Sequence, residues 1–201
     1  MKRFAFALTV TGIFLLSTNE GLAQNKHHEM KSMSEADSSD KKKSAVTDTK
    51  SPVDPKVAAS MKDIVERYLR LKNALANDNT KDASTAGKEI IIAMEKLDKS
   101  SLAAEQKKVY EDVEGDAKEM AEHIGDNAGK IEHQREHFDM LSKDLYDLVK
   151  AFGSGQVLYK DFCPMYNDKK GAMWLSETKT IRNPYYGKKM LTCGSVQEEL
   201  K

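Results

Sequence analysis

Two short stretches near the C-terminus each set a thiol beside a thioether: Cys163-Pro164-Met165 and Met190-Leu191-Thr192-Cys193. They hold both cysteines of the chain, and within each stretch the two sulfurs are close enough in sequence to meet on one ion. A Cys163/Met165/Met190/Cys193 set would be soft, suited to Cu(I) or Ag(I); hard cations such as Mg²⁺ want oxygen ligands. The same two cysteines also admit a simpler reading. In an oxidising compartment they would close a structural disulfide, contributing about 3 kcal/mol through the loop that it constrains. There is no CxxC, so the spacing is not that of a zinc site.

Three histidines, His123, His133 and His137, fall near a predicted turn between two helices. On a heptad with the apolar positions at a and d, His123 and His137 both take g. The g residues of an antiparallel pair border one seam, so these two would either approach one another or stand as separate solvated surface groups. His133 points further outward on the same wheel. Glu122, Glu132 and Glu136 are near enough in sequence to orient imidazoles as hydrogen-bond acceptors. A weaker cluster, His27, His28, Met30 and Met33, lies in a low-complexity stretch and reads either as a weak capture site for copper or silver or as a chance grouping. Catalytic patterns are missing: there is no HExxH, no nucleophile elbow and no phosphate loop. The expectation is a non-enzymatic protein.

These groups need a scaffold, and the rest of the chain describes one. Residues 1–23 read as a secretory signal, with Lys2 and Arg3 ahead of a short apolar core (FAFALTVTGIFLL) and a small-x-small cleavage site at Gly21-Leu22-Ala23. That places the mature protein in a periplasmic space without stable membrane insertion, since the apolar run is shorter than the about 20 residues of a span. Residues 24–56 are rich in Ser, Lys, Asp and Pro and read as a disordered tail. The 32 basic and 32 acidic residues balance, which gives no footprint for nucleic acid.

From Val57 to Phe152 apolar residues recur at three- and four-residue spacing. Four helices are predicted. The first carries Val57, Met61, Ile64, Val65, Tyr68, Leu71 and Leu75. The second, capped by Thr80 or Asp82, carries Ala83, Ala86, Ile90, Met94 and Leu97. A third starts at Ser100 or Ser101 and carries Tyr110, Val113, Ala117, Met120 and Ile124. After the turn GDNAG, a fourth carries Ile131, Phe138, Leu141, Leu145, Leu148 and Phe152. The predicted fold class is mainly α: an antiparallel four-helix up-down bundle with a small irregular Cys/Met/aromatic C-terminal lobe, together spanning residues 57–198. Met61, Met94, Met120 and Met140 are assigned to bundle packing, and Met173 to packing beside Trp174. The lobe is expected to hold short strands near Gln156–Tyr159 and Gly171–Leu175, and to dock through Tyr159, Phe162, Trp174, Tyr185 and Tyr186.

The stretches FCPMYNDKKGAMWLS and IRNPYYGKKMLTCG, with YLRLKNAL, AEHI and HQREHFDMLSKDLYDLVKAF before them, resemble a bacterial periplasmic domain-of-unknown-function family over roughly residues 60–198. That family occurs alone or fused to the periplasmic adaptors of copper and silver efflux pumps; this chain looks like the stand-alone form. The resemblance implies heavy-metal binding for sequestration or hand-over to an efflux adaptor or pump, with copper as Cu(I) leading and silver second. Carried onto this sequence, the implied ligands are Cys163, Met165, Met190 and Cys193, with His123 and His137 as a second set.

Overall fold

The computed structural model describes residues 52–201. The signal, the His27/His28/Met30/Met33 cluster and the tail up to residue 51 lie outside the described residues. Four long helices come first: α1 (Pro55–Ala76), α2 (Thr80–Glu95), α3 (Ala104–Asp126) and α4 (Ile131–Phe152). A lobe follows, made of β1 (Leu158–Cys163), the one-turn α5 (Tyr166–Lys169), β2 (Ala172–Ser176) and β3 (Ser195–Leu200). The described residues are mainly helical with one small antiparallel sheet, and each long helix packs on the next.

Helix starts follow local capping chemistry. Asp54 Oδ1 accepts from the N–H of Lys56 (2.7 Å) and Val57 (3.4 Å), and Pro55 sits where a helix has no N–H to satisfy, so α1 begins two residues before its apolar stripe. At α2 the cap is Asn79, whose Oδ1 accepts from Asp82 N–H at 3.1 Å, rather than Thr80 or Asp82. Residues 99–101 form a separate 3₁₀ turn capped by Asp98. The third helix therefore starts at Ala104, later than its serines suggest, and Gln106 Oε1 accepts from Ala103 N–H there.

Periodicity located the core well. The predicted stripes of α1 and α2 are buried throughout, as are Tyr110, Ala117 and Ile124 on α3 and Phe138 to Phe152 on the α4 stripe. Met61 and Met94 are core residues, and Met173 is buried next to the fully enclosed Trp174. Met140 is a correction: it is 42% exposed, because α4 turns that face toward a cleft shared with the lobe rather than toward another helix. Gly87 marks a close approach of α2 to α3, where a Cβ would stand 2.7 Å from Ala121 O. Any side chain there would push the two helices apart.

The lobe is ordered, which corrects the expectation of an irregular one. Its sheet runs β2-β1-β3, with Cys163 opposite Ala172 on one side and Phe162 opposite Ser195 on the other. β2 lies one residue from the predicted Gly171–Leu175, while β1 begins inside the predicted Gln156–Tyr159 and runs four residues past it. The third, SVQEEL, is mostly exposed and so lacks the apolar alternation that marks a half-buried strand. Every residue of β2 is buried, and this strand packs on α4 and α1. Leu175 N–H donates to Tyr68 Oη at 3.0 Å, and Tyr68 Oη shares a 2.8 Å bond with Ser142 Oγ, so one buried hydroxyl joins α1, α4 and the sheet.

Arg135 fastens the lobe a second time. Its Nε donates to Pro184 O at 2.8 Å, and its Nη2 donates to Leu75 O at 3.1 Å and Asp78 Oδ1 at 2.7 Å. Trp174 and Tyr185 dock as expected, with Tyr166 stacked on Tyr185 at 4.4 Å. Tyr159 does not join the core. It is half-buried on β1 with Lys179 Nζ 5.4 Å from its ring centre.

Candidate metal centre

Gln134 fixes the corner where the histidines lie. Fully buried, its Nε2 donates to Ile124 O and Thr80 O, both at 3.0 Å, tying the first turn of α4 to the end of α3 and the start of α2. Asn127 Nδ2 donates to His123 O at 2.8 Å and secures the end of α3. With the two helices held in this register, the seam deduced from the heptad forms as described. The rings of His123 and His137 stack with centroids 4.2 Å apart and 3° between planes.

His133 belongs to the same group, contrary to its outward position on the helical wheel. Its ring meets His137 edge-on at 4.5 Å and lies 6.0 Å from His123. The reason is local: one helical turn separates residues 133 and 137 on α4, and neighbours four apart face each other. One ligand nitrogen from each of the three, all half-buried, lies within 4.8 Å of the other two. Ligand nitrogens about 2.0 Å from a tetrahedral ion stand about 3.3 Å apart, so holding one ion would require these half-buried rings to turn toward one another. Among the described residues this is the group of three or more His, Cys, Asp or Glu side chains that could hold an ion.

Burial, reinforced by the neighbouring imidazoles of His123 and His133, holds the His137 pKa below the ordinary histidine value. That favours the neutral ring, which is the form that binds metal. Carboxylates stand nearby: Glu119 Oε1 is 3.8 Å from His123 Nε2, and Glu136 Oε2 is 3.6 Å from His133 Nδ1. Both distances are longer than a hydrogen bond, so the acceptor role expected of Glu122, Glu132 and Glu136 is not seen; Glu119 lies one turn from His123 on the same face. Met120 Sδ lies 3.2 Å from His137 Nδ1. Met120 is only partly buried, so it both borders the core and faces the histidines.

The sulfur residues of the lobe are brought together in part. Cys163 Sγ and Cys193 Sγ are 3.1 Å apart, both as free thiols. Buried Asn183 places the second one: its Nδ2 donates to Cys193 O at 2.7 Å, and its own N–H donates to Leu191 O at 2.8 Å. The hydrogen bond with Cys163, with burial behind it, pushes the Cys193 thiol up to about 11, so it is protonated at neutral pH. That is the opposite of an activated nucleophile. Met165 and Met190 flank the pair in sequence, but their side chains are 46% and 39% exposed. Tyr186 Oη donates to Met165 O at 2.9 Å, and Cys193 N–H donates to Met190 O at 3.0 Å. Their main chains, not their thioethers, do the structural work.

No helix among the described residues is long and apolar enough to cross a membrane. A family model described as "Protein of unknown function (DUF3347)" matches residues 64–157. The match begins within α1 and ends just before β1, so it contains all three histidines and Met120, and neither cysteine. It supports a domain family of unknown function over the helical part. No curated protein and no solved structure matches the chain.

Proposed function

We propose that this chain is a periplasmic heavy-metal-binding protein that holds copper, as Cu(I), or silver, for sequestration or hand-over to an efflux adaptor or pump. The observation that carries the reading is the convergence of His123, His133 and His137, whose ligand atoms fall within 4.8 Å of one another across two helices. The four long helices serve as an antiparallel up-down bundle, a rigid support for ligands at one of its ends. The export signal, the paired Cys/Met stretches and the His/Met cluster in the tail add to the same reading. Neutral imidazole and thioether are the ligands such cations prefer.

The lobe supports a second reading, favoured by the 3.1 Å approach of the two thiols. Here Cys163 and Cys193 form a disulfide that staples the sheet, and the protein is a non-catalytic interaction module. Both readings are tested by recovering the full-length chain from the periplasmic fraction of a bacterium expressing it in copper-supplemented medium. About one equivalent of copper in the purified protein supports metal binding. Metal-free protein whose cysteines both resist alkylation in urea until a reductant is added supports the stapled module.

A further inference from the structure

We propose that Met120 is the fourth ligand of the histidine centre, and that its thioether gives that centre its preference for a soft monovalent cation, Cu(I) or Ag(I), over Zn(II). The proposal rests on the metal-binding reading above and deepens it. In a tetrahedral site with nitrogen at about 2.0 Å and sulfur at about 2.3 Å from the ion, the N···S edge is about 3.5 Å. Met120 Sδ and His137 Nδ1 are 3.2 Å apart, close to that edge; without an ion this contact is Nδ1–H donating to the thioether, and an ion bound there would take the place of that proton.

The four side chains form two pairs on facing helices. Met120 and His123 are three apart on α3, and His133 and His137 are four apart on α4. Both spacings put side chains on a common helix face. An apolar packing residue at position 120 would need no sulfur, and leucine would fill the same stripe. A thioether adds a polarizable donor that interacts weakly with Zn(II) and strongly with d¹⁰ monovalent ions, while three imidazoles alone suit zinc, nickel and copper alike. Met120 is thus the one ligand of the four that discriminates between these ions.

The test is a titration of the full, reduced chain with Ag(I) alone and with Zn(II) alone, followed by NMR of the methionine ε-methyl groups and the histidine rings. Titration runs to several equivalents, so that the thiols are also filled. The proposal expects the Met120 methyl to shift together with the rings of His123, His133 and His137 on adding Ag(I). Met120→Leu, which keeps the packing volume, should weaken Ag(I) at the histidines at least tenfold and change Zn(II) affinity there less than threefold. Rings that shift while the Met120 methyl stays still would overturn the proposal and leave the histidine centre standing. So would an equal loss for both ions in Met120→Leu, which would make Met120 a residue that only orients His137. Histidine rings indifferent to both ions would overturn the underlying metal reading itself.

Discussion

The imidazoles of His123 and His137 lie face to face, 4.2 Å apart and 3° from parallel, although they come from different helices. Two protonated rings cannot share that arrangement cheaply, and His133 adds a third ring at 4.5 Å from His137. The arrangement suits neutral imidazoles, and a shared ion would have to sit at the ring edges, where the nitrogen lone pairs point.

Each of the three histidines should therefore count. His133→Ala is expected to weaken Ag(I) or Cu(I) binding at this centre by at least tenfold, as His123→Ala and His137→Ala do, and pairs of these changes should be less than additive because the residues act as one unit. Competition titrations of the single and double variants check this. Full affinity in His133→Ala would return that residue to the surface role its helical wheel suggested.

Proton competition sets the pH dependence. Binding needs unprotonated rings, so affinity should be flat above about pH 7 and fall as pH drops through the imidazole range. Because the His137 pKa is lowered, its proton competes only at more acidic pH than that of an ordinary histidine. Ring titrations by NMR on the metal-free protein should show His137 protonating at lower pH in the folded chain than in urea.

The helical framework was legible because each helix buries one stripe, and a stripe is a spacing that anyone can count. Residues such as Tyr68, Ile90 and Leu145 announce themselves. The sheet was harder to see. β2 was expected within one residue of its place although AMWLS, buried on both faces, shows no alternation, whereas β3 is mostly exposed, so SVQEEL shows no apolar signal and was missed. His133 was missed for a related reason. A helical wheel ranks residues by direction from one axis, whereas the third ring meets the others above the seam, where half-exposed side chains of a neighbouring turn can reach. The contact between Met120 and His137 depends on side-chain rotamers, which no spacing encodes.

A carboxyl in the sheet should make stability depend on pH. Asp161 is fully buried on β1, and neither of its oxygens has a hydrogen-bond partner. Burial raises its pKa to about 7, with Lys72 opposing the shift. The folded state thus keeps a proton that the unfolded chain releases near pH 4, and stability attributable to this group falls as pH rises from about 4 to about 7. The slope approaches 1.4 kcal/mol per pH unit at most. Asp161→Asn should abolish that decline. Urea unfolding of both proteins across this range isolates the effect from Asp144, whose carboxyl burial also raises, to about 6. Parallel stability curves would show that Asp161 is not held protonated.

Arg135 should prove to be the fastening of the lobe. Arg135→Met leaves Asp78 without its 2.7 Å partner, removes one donor from the Leu75 carbonyl and leaves the Pro184 carbonyl without its guanidinium donor. Loss of a buried guanidinium of this kind costs about 3 kcal/mol, at the low end of its range here because Asp78 is partly exposed. Chemical denaturation measures the cost. A red shift of Trp174 fluorescence ahead of the loss of helical circular dichroism would locate the damage in the lobe; coincident transitions at unchanged stability would refute the assignment.

The thiols make a separate prediction. With its pKa pushed up to about 11, Cys193 should react with iodoacetamide at pH 8 at least tenfold more slowly in the folded, reduced protein than in urea. Cys163→Ala removes the partner that raises it, and the rate should recover. Mass spectrometry of the modified peptide follows both rates, and equal rates in folded and unfolded protein would contradict the shift.

The central claim is that the histidine corner binds a soft metal ion, and an anaerobic Cu(I) titration against a chromophoric chelator tests it most directly. The mature protein is compared with two variants, His123→Ala/His133→Ala/His137→Ala and Cys163→Ser/Cys193→Ser. The prediction is that the triple histidine variant loses one equivalent of tightly bound Cu(I) and that the cysteine variant retains that equivalent. Unchanged stoichiometry and affinity in the histidine variant would contradict it.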